Sequence, residues 1–218
     1  MRETYTMQNM ILPVWEWGDA LDFIAHQYPH RYRDFASSIR KNQWISKTWL
    51  VEHLSTINDK ENPVIWVLGS WYGTVIVPLL FNKIPNIKEI HLFDYDEEVF
   101  KICHLIHSKW GNKIHRHCAD INFMLHPDDK LTRPDIVINT SCEHMWPMRD
   151  FKVKHKDVLW AVQSNNYEPE PAHINCVQSA KELTEQSGIS FVEYEGEIKF
   201  HDADDDYKRF MSIGYRDA

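Results

Sequence analysis

Short apolar runs alternate with helical patterns along the chain from residue 63 onward. Five of these runs have the length of a buried strand and lie at residues 64–68, 89–94, 113–118, 135–139 and 158–163. Residues 73–83 and 96–110, which lie between the first runs, carry apolar side chains at helical spacing. Strands that alternate with helices in this way predict βαβ units and a parallel sheet with helices on both faces.

The C-terminal segment departs from that alternation. Residues 190–200 and 207–216 are two strand-like runs on either side of the acidic sequence HDADDD, which is the pattern of an antiparallel hairpin. Residues 172–188 predict a helix that ends at Gly188. We therefore expect an α/β fold in which five parallel strands are followed by a hairpin that closes the sheet.

The N-terminal part of the chain has a helical pattern. Residues 18–28 carry apolar positions at helical spacing after Asp19, a candidate cap, and residues 46–57 repeat the pattern after Ser46. No repeat, low-complexity tract or linker divides the chain, so we expect 1–218 to be a single domain. Its helical N-terminal cover would span residues 1–60, and its α/β core would span residues 61–218.

The composition of the chain limits the kinds of molecule that it is expected to bind. The 218 residues are 43% hydrophobic, which supports a sizeable core, and no apolar run reaches the roughly 20 residues of a membrane span. The four cysteines form no CxxC pair and we recognise no secretion signal, so we expect free thiols and a cytoplasmic protein. The net charge of −8 argues against bulk nucleic acid and favours a small molecule or a nucleotide as partner, and the oligomeric state is left open.

A pair of glycines follows the first predicted strand. Gly69 and Gly73 are two of only seven glycines, and Ser70, Trp71 and Tyr72 lie between them. Ligands of open parallel sheets bind beyond the carboxyl ends of the strands, and glycine permits both close approach to the backbone and a positive φ. The pair therefore indicates a cofactor loop, although two ordinary turn glycines would give the same spacing.

Two acids follow at the ends of the next strands. Asp94 ends the second predicted strand, and Asp120 follows the third. A carboxylate at the first of these positions can accept hydrogen bonds from both hydroxyls of a ribose. An acid at the second can accept from the amino group of a purine. Together with the glycine pair, the acids predict a site for a cofactor that contains a nucleoside.

These segments resemble the class I S-adenosylmethionine-dependent methyltransferases. The resemblance covers residues 46–216 and rests on the segments VIWVLGSWYG, HLFDYDEE, HCADI and PDIVINTSCEHM. It implies a Rossmann-like seven-stranded sheet with a reversed final hairpin and S-adenosylmethionine as cofactor. It also implies a set of cofactor-binding residues: Gly69, Ser70, Trp71, Tyr72, Gly73, Asp94, Tyr95, Asp120, Ile121, Asn139 and Thr140. Among these, Tyr95 and Ile121 would sandwich the adenine, and Asn139 and Thr140 would face the reactive methyl group.

The chain departs from the family pattern in two places. The glycine loop is usually richer in glycine, and Trp71 and Tyr72 would either wall the cofactor sulfonium, where a cation is favoured, or pack under the N-terminal helices. Members that act on amino groups of nucleobases often carry Asn/Asp-Pro-Pro-aromatic after the fourth strand. This chain has NTSC at 139–142. The asparagine matches and the other positions do not, so the acceptor atom is left open.

A dense polar cluster, NTSCEHMW, begins at Asn139. We interpret Asn139, Glu143 and His144 as candidate catalytic residues, with Glu143 or His144 as a general base. Ser141 and Cys142 are expected to bind the substrate. The alternative is that Glu143 and His144 only bind the substrate or cap the next helix.

A second polar cluster, QSNNYEPEPAH, lies at the end of the fifth predicted strand. Gln163, Asn165, Asn166 and Tyr167 are expected to bind a polar substrate through their amide and phenol groups. The segment is long and contains prolines, so it could form a lid, and a plain surface loop is the alternative. Lys47, on the N-terminal side, could reach the carboxylate of the cofactor.

Four side chains have the chemistry of a tetrahedral zinc site: Cys142, His144, His173 and Cys176. The C-x-H spacing is unusual for a zinc pair, and thirteen histidines offer many chance pairs. The sequence therefore favours a site without metal and leaves the zinc alternative open.

The function that these features indicate is transfer of a methyl group from S-adenosylmethionine to a small polar acceptor, an amine or hydroxyl of a metabolite or nucleotide. The rate of such an in-line attack depends mostly on alignment. Two alternatives keep the fold: transfer of the aminocarboxypropyl group of the cofactor, or a non-catalytic scaffold that binds a nucleoside or a protein. The enzyme is favoured because cofactor acids and the cluster at 139–146 occur together.

Overall fold

Three α-helices precede the sheet in the part of the chain that the structure describes. The computed structural model of the chain describes residues 14–124, 131–153, 157–201 and 206–217. Its N-terminal helices are α1 (Val14–Gln27), α2 (Tyr32–Ser38) and α3 (Lys41–Ile57).

These helices begin earlier than the sequence predicts. Asp19 lies inside α1, and Ser46 lies inside α3, where its hydroxyl donates to the carbonyl of Gln43 3.1 Å away. The N-cap of α3 is Arg40, which makes no side-chain capping bond. Because α3 buries an apolar face against the core, packing rather than a cap determines its extent.

Seven strands form one sheet within the described residues, in the order β3-β2-β1-β4-β5-β7-β6. Their bounds are β1 (Val64–Leu68), β2 (Glu89–Asp94), β3 (Ile114–Cys118), β4 (Ile136–Asn139), β5 (Leu159–Asn165), β6 (Phe191–His201) and β7 (Asp206–Tyr215). The first five strands run parallel, and β7 pairs antiparallel with β5 and β6. The predicted α/β sheet with a reversed C-terminal hairpin is confirmed.

Burial explains why the central strands are visible in the sequence. Every residue of β1, β4 and β5 is buried, because helices or their connections cover both faces of the sheet. Such strands are continuous apolar runs. The edge strand β6 instead leaves most of its residues exposed or half-buried. Polar and apolar residues are therefore mixed along its sequence.

The helices that follow the sheet strands are α4 (Ile76–Lys83), α5 (Glu97–Ile106) and α6 (Ala180–Ser187). Asp96 caps α5, with its carboxylate accepting from the amide of Glu98 at 3.0 Å. Ser179 caps α6, and Gly188 ends it in the left-handed conformation with φ 68°. None of the described helices combines the length and the apolar character that crossing a membrane requires.

The last helix is shorter than predicted. Residues 172–179 are not helical, because their backbone amides bond elsewhere. The amides of Ile174 and Asn175 both donate to the carbonyl of Glu143, at 2.9 and 3.0 Å. These bonds hold the segment across the loop that follows β4.

The strand order reverses between β1 and β4. The chain continues from β1 to β2 on one side and from β4 to β5 on the other. The loops that follow these two strands therefore diverge and open a crevice at the carboxyl end of the sheet, where ligands of such folds bind.

Candidate active site

A cavity of about 900 Å³ occupies this crevice. Its walls come from the loops after β1 to β5, from α2 and α3, and from β7. The volume lies at the upper end of the range for ligand pockets. It therefore has room for a cofactor and a small substrate together.

The glycine loop turns sharply after β1. φ is 60° at both Gly69 and Gly73, and the amide of Gly73 donates to the carbonyl of Ser70 at 2.9 Å. A Cβ on Gly69 would collide with the methyl group of Met145, and a Cβ on Gly73 would lie 3.1 Å from the ring of His107. Glycine is thus required by the backbone conformation and by protein packing, and not only by the approach of a ligand.

Asp94 presents its carboxylate to the cavity from the end of β2. Its Oδ2 accepts from the amide of Trp71 at 2.8 Å, and its Oδ1 accepts from the amide of Asp96 at 3.1 Å. Burial raises the pKa of Asp94, and these backbone hydrogen bonds act against that rise. Each carboxylate oxygen has two lone pairs. The side chain is therefore fixed in position and can still accept from a ligand.

The two aromatic residues of the glycine loop have different surroundings. Trp71 lines the cavity, and its Nε1 donates to Asp34 at 3.3 Å. Tyr72 is fully buried, donates its hydroxyl to Asp34 at 2.7 Å and packs edge-on against Phe35. Burial raises the pKa of Tyr72, so the phenol stays a donor. Tyr72, expected at the cofactor, instead anchors α2 to the glycine loop.

Arg31 attaches the N-terminal helices to the start of α5, at the wall of the cavity. Its guanidinium donates to Glu98 at 2.6 Å and also to Asp96, both at the start of α5. His30 lies 2.9 Å from the same Glu98 carboxylate. The hydrogen bond between Arg31 and Glu98 raises the pKa of the arginine and lowers that of the acid. A charged bridge thus joins α2 to α5 at the cavity wall.

The loops after β2 and β3 form the outer part of the cavity. Tyr95 is 76% exposed at its rim, and Ile121 is 6% exposed. Asp120 lines the same wall, and its Oδ1 accepts from the amide of Asn122 at 2.9 Å. A flat aromatic ring, an apolar side chain and a carboxylate with lone pairs to spare are the groups that bind a purine.

Glu143 lies in the inner part of the cavity and is 3% exposed. Its Oε1 accepts from Asn165 at 2.7 Å and lies 3.4 Å from both terminal guanidinium nitrogens of Arg209. Its Oε2 is buried and has no hydrogen-bond partner among the described residues. Because an unpaired buried carboxylate oxygen is costly, Oε2 is ready to accept from a ligand.

His144 is positioned to accept a proton. Its Nδ1 lies 3.1 Å from the carbonyl of Ala172. A carbonyl only accepts, so Nδ1 carries the proton and Nε2 has the free lone pair. Burial lowers the pKa of His144, which keeps the ring neutral at neutral pH. The ring of His173 packs edge-on against it, with centroids 4.6 Å apart.

Lys47 lines the inner part of the cavity from α3 and donates to Gln43. Burial, with a smaller effect from Arg209, lowers the pKa of Lys47 to about 7. The side chain is therefore a neutral amine in a large fraction of molecules at neutral pH.

Lys47 is expected to react with trinitrobenzenesulfonate at pH 7 at least about tenfold faster than an exposed lysine such as Lys101, because only the neutral amine is a nucleophile. Peptide mapping after brief labelling measures the two rates in the same sample. Lys101 is the control because its side chain is 57% exposed and, among the described residues, forms an ion pair only with Glu97, at 3.4 Å. Equal labelling of the two lysines would contradict the lowered pKa of Lys47.

Most predicted site residues line this one cavity: Gly69, Ser70, Trp71, Gly73, Asp94, Tyr95, Asp120, Ile121, Thr140, Ser141, Glu143, His144, Asn165 and Tyr167. Five, all within the described part of the chain, do not: Tyr72, Asn139, Cys142, Gln163 and Asn166. Asn139 is fully buried, and its Oδ1 accepts from the amide of Ser141 at 2.8 Å. It shapes the loop after β4 and is not among the residues that line the cavity.

The other three residues also serve the fold. The thiol of Cys142 is buried 3.8 Å from the carbonyl of Asn139. Gln163 donates to the carbonyl of Ser46 at 2.8 Å and so joins β5 to α3, and Asn166 accepts from the amide of Lys208 at 2.7 Å. Gln163 shares a face of β5 with the cavity residue Asn165 but lies two residues farther from the strand end. A position near a strand end is therefore not enough to place a side chain in the cavity.

The four side chains that suit zinc are not gathered in one place. Glu143, His144 and His173 have possible ligand atoms within 4.8 Å of one another, and neither cysteine is in this group. The thiol of Cys176 lies 3.5 Å from the carbonyl of Tyr167. Arg209 already supplies a positive charge to Glu143, 3.4 Å away. The group is therefore arranged for hydrogen bonding.

Arg209 and Met145 are among the cavity residues that the sequence did not assign to the site. Arg209 is 7% exposed and also donates to the carbonyl of Thr140. The sequence contained a sign that Arg209 has a role, because it lies beside the apolar run FMSIG of a predicted strand. An arginine in such a position is rarely buried without a partner. Met145 gave no signal, since methionine is an ordinary residue of apolar cores.

Solved structures with this architecture include several methyltransferases. The N-methyltransferase NodS from Bradyrhizobium japonicum WM9 has a TM-score of 0.59 at 8% identity, covering 81% of this chain and 98% of that chain. A SAM-dependent methyltransferase from Aquifex aeolicus has 0.52 at 17%, covering 75% and 88%. Precorrin-6y C5,15-methyltransferase from Geobacter metallireducens GS-15 has 0.50 at 13%, covering 81% and 89%. No family model and no curated protein matches the sequence. The chain has the fold of the class I S-adenosylmethionine-dependent methyltransferases.

Proposed function

We propose that this protein is an S-adenosylmethionine-dependent methyltransferase that acts on a small polar acceptor, an amine or hydroxyl of a metabolite or nucleotide. The observation that carries the proposal is that Asp94 and Asp120 line the same cavity as Glu143 and His144. Asp94 and Asp120 suit the binding of a nucleoside. Glu143 and His144 suit the binding of a substrate that must lose a proton.

The outer part of the cavity has groups that fit S-adenosylmethionine. Asp94 would accept from the ribose hydroxyls, and Asp120 would accept from the adenine amino group, since both carboxylates keep lone pairs beyond their backbone bonds. Tyr95 and Ile121 would flank the adenine. Trp71, on the cavity wall, would face a cation favourably. When bound, this cofactor supplies an electrophilic methyl group on a positively charged sulfur.

Glu143, which is buried in the cavity, and His144, which is exposed at its edge, would hold and deprotonate an acceptor. The unpartnered Oε2 of Glu143 would accept a hydrogen bond from an ammonium or hydroxyl group of the substrate. Nε2 of His144 would take the proton that the acceptor loses. Asn165 and Arg209 fix the Glu143 carboxylate, so the acceptor is aligned by a rigid partner.

The charges of the inner cavity further limit the chemical class of the acceptor. Lys47 and Arg209 line it together with the buried carboxylate of Glu143. A substrate with an amine or hydroxyl near Glu143 and a carboxylate or phosphate near Lys47 would complement both residues, because a bound anion favours the protonated form of Lys47, whose pKa is otherwise lowered to about 7. We therefore favour an anionic metabolite or a nucleotide as the acceptor.

Calorimetric titration with S-adenosylmethionine and S-adenosylhomocysteine tests the cofactor assignment. Micromolar binding of both, with one site per chain, supports the proposal and justifies a screen of acceptors by release of S-adenosylhomocysteine. If neither binds, alone or with a pool of anionic amines and nucleotides, the methyltransferase proposal is wrong and the scaffold alternative becomes the better one.

Turnover is expected to fall at acid pH as His144 becomes protonated. Because burial lowers its pKa below 6.5, the ring is neutral and competent at pH 7, and kcat/KM decreases as the pH falls through the lowered pKa. His144→Gln is expected to lower turnover about 100-fold or more and to remove this acid limb. Cofactor affinity should be unchanged.

The matched control is His26→Gln, which changes an exposed histidine of α1. Its pH profile should equal that of the unmodified protein. An acid limb that persists unchanged in His144→Gln would assign the proton transfer to another group.

A further inference from the structure

A second group of ionisable side chains lies at the opposite end of the sheet from the cavity. Glu89 begins β2, whereas Asp94 ends it. His91 lies two residues after Glu89, on the same face of the sheet, and pairs in register with His115 of the edge strand β3. Possible ligand atoms of Glu89, His91 and His115 lie within 4.8 Å of one another. We call these three residues the β2–β3 cluster.

Two atoms of the cluster that face each other are buried and lack a hydrogen-bond partner among the residues described. They are Oε1 of Glu89 and Nε2 of His91, which lie 3.4 Å apart. His91 itself is 4% exposed. Buried polar atoms are nearly always paired. If the His91 proton is on Nδ1, an oxygen lone pair faces a nitrogen lone pair, and a cation between the two atoms satisfies both; in the other tautomer Nε2 donates directly to Glu89.

Two separations in the cluster have the length of an edge of a coordination tetrahedron, and they run to different oxygens of the Glu89 carboxylate. Nε2 of His91 lies 3.4 Å from Oε1 of Glu89, and Nε2 of His115 lies 3.3 Å from Oε2 of Glu89. A zinc ion with nitrogen and oxygen ligands at about 2.0–2.1 Å in a tetrahedron has ligand-to-ligand separations of about 3.3 Å. Each of the two imidazole nitrogens therefore lies one edge length of such a tetrahedron from a carboxylate oxygen.

The other nitrogen of His91 is held in the way that metal-bound histidines usually are. Its Nδ1 lies 2.8 Å from Nε2 of His117, the next residue of β3 on the same face. One of these atoms donates and the other accepts. If His91 donates from Nδ1, its Nε2 is the lone pair that faces Glu89. Such a second bond fixes the tautomer and the ring orientation of a metal ligand.

We propose that Glu89, His91 and His115 bind one divalent ion of the zinc type, with water as the fourth ligand. Two imidazoles and a carboxylate suit zinc, whereas Mg²⁺ and Ca²⁺ prefer oxygen ligands. The side chain of His115 is 43% exposed, so solvent reaches the fourth position. The ion would join the edge strand β3 to β2. Because the cluster lies at the amino end of β2, the proposal does not depend on the function of the cavity.

Zinc binding is tested on the untagged full chain, stripped with chelator and dialysed against a slight excess of Zn²⁺. Metal analysis should give one zinc per chain. Glu89→Gln and His115→Asn, which change side chains that are only partly buried, should each weaken binding about 100-fold or more, beyond the effect of losing an outer partner. Two control variants, His26→Asn on α1 and His173→Asn in the cavity, should keep the metal.

Two further readouts separate a built site from weak surface binding. Substitution by Co²⁺ should give the intense visible absorption of a four-coordinate ion, and both cluster variants should lose it. Zinc at 100 times its Kd should raise the Tm of the unmodified protein by roughly 5–10 °C, and the variants should show no rise.

The outcomes that overturn the proposal are equally definite. Absence of stoichiometric zinc in the unmodified protein, or undiminished zinc in Glu89→Gln and His115→Asn, would leave buried water or direct hydrogen bonding as the occupant of the cluster. Loss of zinc in His173→Asn with retention in the cluster variants would place the ion at the cavity instead.

Discussion

Asp94→Asn is expected to weaken the binding of S-adenosylhomocysteine about 100-fold or more. The carboxylate can accept from both ribose hydroxyls while it accepts from the amides of Trp71 and Asp96. An asparagine has one acceptor oxygen, and its NH₂ group would meet a backbone N–H or a hydroxyl as a second donor. Hydrogen bonds to a charged group contribute about 1.5–3 kcal/mol each, and each 1.4 kcal/mol is about tenfold in Kd.

Asp135→Asn is the matched control for this measurement. Asp135 also accepts from a backbone amide, that of Val64 at 2.9 Å, but does so at the amino end of the sheet. Its variant should bind S-adenosylhomocysteine with unchanged affinity in the same calorimetric titration. Equal affinities for Asp94→Asn and the unmodified protein would contradict the ribose assignment.

Glu143→Ala is expected to lower the free energy of unfolding by about 3–5 kcal/mol. The truncation leaves the guanidinium of Arg209, which is 7% exposed, and the amide of Asn165 without their carboxylate. Breaking a buried pair costs far more than the pair itself contributes, because one charge stays buried alone. Urea unfolding followed by circular dichroism measures the change.

The double variant Glu143→Ala/Arg209→Met separates this cause from simple loss of packing. Removing both charges should cost less than the sum of the two single changes. The exposed pair of Lys208 and Glu197, 2.8 Å apart, provides the control, and Glu197→Ala should change stability by less than about 1 kcal/mol. If Glu143→Ala costs no more than Glu197→Ala, the buried charge of Arg209 is stabilised by other groups.

The sheet could be predicted from the sequence because its strands are covered on both faces. The run at 64–68 has the bounds of β1 and contains no polar residue, and the run at 89–94 has the bounds of β2 although the polar His91 lies within it. The first residues of the helices were harder to predict. The first turn of α3 is the polar sequence KNQ, so a periodicity argument places its start at the next capping residue, Ser46, which is interior.

The candidate site could be predicted where topology alone places a residue. Asp94 and Asp120 lie at the ends of neighbouring parallel strands, so any such sheet brings them to one edge. Gln163 could not be placed in this way, because it shares a face of β5 with Asn165 and yet lies under α3, where it donates to the carbonyl of Ser46. Arg209 approaches Glu143 from a strand 66 residues later. That contact follows from the register of β5 with β7, which no local pattern contains.

The bridge made by Arg31 has a consequence for the kinetics of ligand exchange. Arg31 holds α2 to Asp96 and Glu98, and it lies 3.4 Å from Asp34, which in turn binds the two aromatic residues of the glycine loop. Arg31, Asp34, Trp71 and Asp96 line one wall of the cavity, so a ligand that leaves through this wall needs several of these contacts to break together. The residence time of a product would then reflect movement of α2 as much as affinity. Added salt, which screens partly exposed ion pairs, would shorten it.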